Sequence, residues 1–142
     1  APFIFERLGS RFSHIFIDEF QDTSITQWQN LVVLYDHALS TNNKTLVVGD
    51  GKQAIYRWRN GDYKQLMTLP KLLGDDLGMA LEDAERTLDR EINNDGLGEN
   101  WRSGIEIVRW NNTLFEELKN HLPEELKKVY DGLSQKPMKE FN

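Results

Sequence analysis

Two short apolar runs that each end in an acid, with an amphipathic stretch between them, constrain this fold more than any other feature. The first lies in "HIFIDEFQDTS", residues 14–24, where Ile15, Phe16 and Ile17 run directly into Asp18 and Glu19, with Asp22 close behind. The second is "KTLVVGD", residues 44–50, which ends in Gly49 and Asp50. Both read as short buried strands, over 13–17 and 44–50, because they are β-prone and stop at polar turns. Between them, Trp28, Leu31, Val32, Tyr35 and Leu39 recur at helical intervals. Ser24 and Gln27 have capping-box spacing, so the pattern predicts a helix over 25–39. Strand, helix and strand within residues 13–50 form a βαβ unit, which implies a parallel sheet with a right-handed crossover and an α/β fold. Such sheets bind ligands at the carboxyl ends of their strands. Asp18, Glu19 and Asp50 all lie at those ends, so both acidic exits are expected to face one crevice.

The remainder reads less sharply. Residues 51–56 are expected to form a short helix, followed by the basic and aromatic loop "YRWRNG". Asp62 and Gln65 can cap a helix carrying Leu66, Leu69 and Leu72, with a kink or break at Pro70. "LEDAERTLDREI" has helical composition, although its last residues also suit a strand. "NNDGLG" is a turn. Ser103 and Glu106 repeat the capping-box spacing, and Ile107, Val108, Leu114, Phe115 and Leu118 predict a helix to about residue 121. Pro123 starts a last short helix. Trp28 and Trp110, at helical spacing among apolar residues, are expected to pack.

Composition bounds the class. The 142 residues are 39% hydrophobic and 28% charged, which is globular rather than disordered. No apolar run approaches a membrane span, and no secretory signal opens the chain. With no cysteine, disulfides and thiolate metal sites are excluded, as fits a cytoplasmic protein. A net charge of −6 argues against a dedicated nucleic-acid module, but the charge is segregated. Residues 51–61 carry Lys52, Arg57 and Arg59 and no acid, whereas residues 75–91 carry seven acids against Arg86 and Arg90. The first is a candidate basic patch and the second a solvated face. His14, His37 and His121 show no metal-ligand spacing. Both ends of the chain look abrupt, and the expectation is an internal piece of a longer protein.

Three blocks carry the chemistry. An Asp at a strand end followed by Glu offers one carboxylate to Mg²⁺ and one base to a water, as nucleoside triphosphate hydrolysis requires, and the competing reading is a pair of solvated acids in a turn. "YRWR" alternates two aromatics with two guanidinium groups, which suits stacked, single-stranded nucleic acid. The competing reading places Tyr56 and Trp58 in the core. Arg102 precedes a helix start, where the helix dipole disfavours a cation, and this favours a functional role.

Taken in order, "FIDEFQDTS", "VVGDGKQAIYRWRNGD" and "NWRSGIEIVRWNN" resemble motifs two, three and four of the UvrD/Rep-type superfamily-one DNA helicases. "NWRS…IV…NN" is similar to the version in helicase–nuclease subunits of the AddA/RecB kind. The resemblance implies a RecA-like P-loop NTPase motor, with ATP and Mg²⁺ as cofactors and single-stranded or duplex DNA as partner. It also admits a nuclease partner subunit. Asp18 then resembles the Mg²⁺-binding acid and Glu19 the catalytic base. Gln53 resembles the glutamine that senses the γ-phosphate. Tyr56, Trp58 and Arg59 resemble residues that contact single-stranded DNA, and Arg102 resembles an arginine finger. Trp101 stands where the family commonly has a Tyr stacked on adenine. Lys52, in "DGK", departs from the usual acidic pair.

The phosphate-cradling pattern G-x-x-x-x-G-K-[ST] is absent from the 142 residues. In the family it lies upstream. The chain is therefore expected to hold the back half of a first motor domain, residues 1–75, and the start of a second, residues 76–142, with the junction within 64–99. Alone it is expected to be inactive as an ATPase. The competing hypothesis is a helicase-like DNA-binding scaffold without ATPase activity, but a scaffold would have no use for Asp18, Glu19, Gln53 and Arg102 together.

Overall fold

A computed structural model of the chain describes residues 12–56, 61–75 and 77–139. It divides into two compact units between Asn93 and Asn94.

In the first unit, β1 (Ile15–Ile17) pairs in parallel with β2 (Thr45–Val47), Ile15 opposite Thr45, Phe16 opposite Leu46 and Ile17 opposite Val47. The connection is α1 (Ile25–Ser40), so the unit is the βαβ arrangement that the hydrophobic pattern predicts. The N-terminus of α1 carries a complete capping box. Ser24 Oγ accepts from Gln27 N at 3.2 Å, and Gln27 Oε1 accepts from Ser24 N at 2.9 Å, so two orphan donors are satisfied. From α1, Trp28, Val32, Tyr35 and Ala38 face inward and are buried. Phe20, Trp28 and Tyr35 stack edge to face, with ring centroids 4.8 Å and 5.1 Å apart. Each such aromatic contact adds about 0.5–1.5 kcal/mol to the burial itself. Ile15, Ile17 and Val47 pack against this cluster.

The opposite face of the strand pair is bare, with Phe16 67% and Leu46 53% exposed. Parallel sheets ordinarily bury both faces.

Beyond β2, residues Gly51–Gln53 form one 3₁₀ turn where a short helix over 51–56 was expected. Next, α2 spans Tyr63–Thr68, capped by Asp62, whose carboxylate accepts from Lys64 N at 2.9 Å. The helix stops before Leu69 because the residue preceding proline is pushed out of the α region, and Leu69 adopts an extended ψ of 137°. Leu69 and Leu72 therefore follow the helix rather than line it. Gln65, fully buried, braces the segment after the break: its Nε2 donates to Lys71 O at 2.9 Å and its Oε1 accepts from Leu73 N at 3.0 Å. The ambiguous 74–99 region contains α3 (Met79–Glu91), which is helical to its end. Ala84, Thr87 and Leu88 are its buried face. Most of its acids are exposed, but Glu85 turns inward to accept from Leu72 N at 2.7 Å.

The second unit is again β–α–β. β3 (Glu99–Gly104) pairs in parallel with β4 (Lys136–Lys139), and α4 (Ile105–Lys119) and the short α5 (Glu124–Lys127) lie between them in sequence. The capping-box spacing of Ser103 and Glu106 does not mark the helix start. Strand pairing holds the backbone extended through Gly104, which becomes the N-cap, without a side-chain cap. Val108 is the buried residue of α4, whereas Trp110 is 64% exposed. Two positions past Val108, Trp110 falls on nearly the opposite side of the helix. It does not pack as its spacing predicts.

Candidate functional site

The two acidic exits of the first unit meet at the carboxyl end of the β1–β2 pair. The backbone stitches them together: Val48 N donates to Ile17 O at 2.8 Å, and Phe20 N donates to Val48 O at 3.0 Å. Asp18 is exposed at the strand end, with Oδ1 accepting from Glu19 N at 2.9 Å. Glu19 then turns the chain with φ 53° and ψ 41°, a left-handed conformation that non-glycine residues adopt rarely and that clusters at functional sites. The turn reverses the chain into Phe20, which is fully buried and pins the exit to the core.

Beneath the acids lies Gln21, 1% exposed. Its Nε2 donates to Glu19 Oε2 at 2.6 Å, and its Oε1 accepts from Asp50 N at 3.0 Å. Gly49 permits this approach, because a Cβ there would come within 3.0 Å of Gln21 Oε1 and 3.1 Å of Leu66 Cδ2. The Asp50 carboxylate organises the next turn, accepting from Lys52 N at 3.0 Å and Gln53 Nε2 at 3.1 Å and pairing with Lys52 Nζ at 2.7 Å. Burial pushes the Asp50 pKa up, but the hydrogen bonds from Lys52 and Gln53 and the Lys52 charge outweigh it, and the net shift is downward. Asp18, Glu19 and Gln53 thus share one end of the sheet, and Lys52 is committed to Asp50.

Tyr56 is 39% exposed and enters the basic loop. Trp58 and Arg59 lie outside the described residues. The far end of the loop is anchored where Ser24 and Gly61 make an antiparallel bridge and Asp62 N donates to Thr23 O at 3.4 Å. Tyr56 thus lies beyond the Asp50 turn, and Gly61 lies against the N-cap of α1.

In the second unit, Trp101 and Arg102 lie on β3 and both are exposed, Trp101 58%. Trp101 Nε1 donates to Glu99 Oε2 at 3.2 Å. Arg102 pairs with no carboxylate among the described residues. Its backbone is fixed from below: Asn100 Oδ1 accepts from Arg102 N at 3.0 Å and Ser103 N at 2.8 Å, and Asn100 Nδ2 donates to Gln135 Oε1 at 2.8 Å. Asp50 was expected at this crevice from its place at a strand end, whereas Gln21, Gly61 and Asn100 were not picked out by motif chemistry. Of these, Gln21 had a readable signal, an amide placed two residues after an Asp-Glu pair.

As for a metal, the described residues hold no group of three or more His, Asp or Glu side chains placed so as to ligate one ion together. A lone exposed carboxylate at Asp18 fits Mg²⁺, which binds through one or two carboxylates, water and phosphate oxygens rather than a protein cage.

A family model, the UvrD/REP helicase N-terminal domain, matches residues 1–73. The chain belongs to the UvrD/REP helicase family. Within that family it is similar to DNA helicase II of Haemophilus influenzae, 36% identical over 74 residues, which cover 52% of this chain and 9% of the relative. The ATP-dependent DNA helicase PcrA of Staphylococcus aureus is 38% identical over 72 residues, 50% of this chain and 9% of that one. RecBCD enzyme subunit RecB of Mycolicibacterium smegmatis is 32% identical over 102 residues, 72% of this chain and 7% of the subunit. The chain thus spans under a tenth of the length of these UvrD-like relatives. A match of 102 residues is longer than the 93-residue first unit, so the similarity to RecB reaches into both units. Among the described residues, no helix is long and apolar enough to cross a membrane.

Proposed function

We propose that this chain is part of the motor of an ATP-dependent DNA helicase that couples Mg-ATP hydrolysis to translocation on single-stranded DNA and to duplex unwinding in repair or recombination. The observation that carries the reading is the junction of the Asp18-Glu19 exit and the Asp50–Gln53 turn at one end of a parallel strand pair. Phosphate chemistry in this fold class sits at that end. Residues 1–75 belong to a first RecA-like motor domain, and the start of a second follows. The bare Phe16 and Leu46 face and the short span of the relatives both support a segment of a longer motor. The RecB match, running into both units, favours a helicase–nuclease parent, with a nuclease domain or partner subunit beside the motor.

The assigned roles are those the family resemblance implies, and the chemistry of each side chain is compatible with its role. Asp18 would hold Mg²⁺, which neutralises charge on the phosphate oxygens when bound. Glu19 accepts the proton of the attacking water, and Gln53 reaches the γ-phosphate. Arg102 meets the charge that develops on the transferred phosphoryl group. Trp101 offers an exposed indole face to adenine. Tyr56, Trp58 and Arg59 carry the single strand by stacking and charge, each stacked base contributing about 1–3 kcal/mol. The chain alone, without a phosphate-cradling loop in its sequence, is expected to show no ATP hydrolysis.

Glu19→Gln in the parent helicase tests the assignment. Nucleotide binding should persist while turnover falls about 10²–10⁴-fold, the usual contribution of a general base. Near-normal turnover would remove Glu19 from the mechanism.

A further inference from the structure

We propose that Gln21 is the positioning residue for Glu19 and the link through which the Asp50–Gln53 turn acts on it. This rests on the reading of Glu19 as the base. Gln21 is a polar side chain with 1% exposure, and burying an amide is costly unless both of its ends are paired. Here each end serves a different loop. The amide nitrogen donates to the Glu19 carboxylate at 2.6 Å, and the amide oxygen accepts from the Asp50 backbone at 3.0 Å. The orientation of the amide is forced by its partners. A flip would set the oxygen against a carboxylate and the NH₂ group against an N–H, so both contacts would become repulsive.

Two further features make the link rigid. Glu19 sits in a left-handed conformation that its neighbours must hold, and Gln21 is its side-chain hydrogen-bond partner. Gly49 presses against Gln21, leaving 3.0 Å between Gln21 Oε1 and the place of a Cβ. Beyond Asp50 N, the same residue's carboxylate holds Gln53 Nε2 at 3.1 Å. A continuous path of hydrogen bonds thus runs from the Glu19 carboxylate through the Gln21 amide and Asp50 to Gln53. Any shift of the 50–53 turn must move Gln21 or break its bond, and either event re-aims the Glu19 carboxylate. Hydrolysis thereby depends physically on the 50–53 turn.

The test is steady-state ATP hydrolysis by the parent helicase, with and without single-stranded DNA, in two variants. Gln21→Met keeps the volume and removes both bonds. Gln21→Glu keeps the acceptor for Asp50 N but sets a carboxylate against Glu19. Both should lower kcat on the order of 10²-fold, as misplacing a reacting group by about 1 Å does, with KM for ATP nearly unchanged. Stimulation by DNA should be lost. Gln21→Glu should recover activity as the pH falls, because two facing carboxylates can share a proton and restore the donor, whereas Gln21→Met should stay low throughout. Neither change should lower turnover further in a Glu19→Gln background. Wild-type kcat in Gln21→Met, or an equal additional loss on top of Glu19→Gln, would overturn the proposal while leaving Glu19 as base. Normal turnover in Glu19→Gln itself would overturn both. If Gln21→Glu does not fold, Gln21→Met and the double variant still decide.

Discussion

Asn112 pairs with Gln135 as one strand pairs with the next. Its Nδ2 donates to Gln135 O at 2.8 Å and its Oδ1 accepts from Gln135 N at 3.1 Å. A side chain on α4 thereby supplies both backbone bonds to the residue just before β4. Asn112→Ala should leave α4 intact but detach the entry to β4, at a cost of about 0.5–1.5 kcal/mol for each hydrogen bond lost, since the freed backbone groups are exposed to water. Hydrogen exchange checks this: amides of 135–139 should lose protection before those of α4. Equal protection in both would show that Asn112 does not hold the strand.

Asp50 predicts an acid dependence. Its folded pKa is below the 3.8 of a free Asp, so its unfolded form binds protons first as pH falls. The stability it contributes is present above about pH 4 and is lost as the pH drops through the lowered folded value. In chemical unfolding, wild type should exceed Asp50→Asn at pH 6, and the gap should close below about pH 4. A gap that widens in acid would reverse the sign.

Gly61 is buried, and a Cβ there would come 3.1 Å from Asp22 O and 3.2 Å from Tyr56 O. Both neighbours are backbone and cannot step aside as a flexible side chain could. Gly61→Ala should therefore destabilise the first unit by about 1–3 kcal/mol, the usual cost of overpacking. Thermal unfolding measures it, and an unchanged midpoint would show that the loop end can relax.

Arg102→Ala in the parent helicase should reduce ATP turnover by about 10³-fold or more, with a much smaller effect on ATP affinity, if Arg102 is an arginine finger. Arg102→Lys should rescue little, because a point charge cannot reproduce the planar fork. Affinity for single-stranded DNA without nucleotide should hardly change. Lost DNA binding with normal hydrolysis would instead place Arg102 on the DNA.

Local signals were enough to determine some of this protein. β1, α1 and β2 follow from runs, periodicity and a capping box whose partners are three residues apart, and both bonds of the box are made. The break after Thr68 follows from Pro70, because the clash that causes it is between adjacent residues. The acidic strand ends follow from the parallel βαβ order. Tertiary structure decided the rest. β4 has the sequence "KPMK", with little β-propensity, and is a strand because β3 and Asn112 pair with its backbone and the residue before it. The same pairing extends β3 through Ser103 and Gly104 and overrides a capping-box spacing that is only a local preference. Trp110 has the spacing of a packed residue, but spacing says which residues share a face and not whether that face has a wall. Gln21 is the clearest case. Its neighbours in sequence are two acids and an aromatic, yet its role comes from Asp50, 29 positions away, which approaches only because two strands pair and a glycine leaves room.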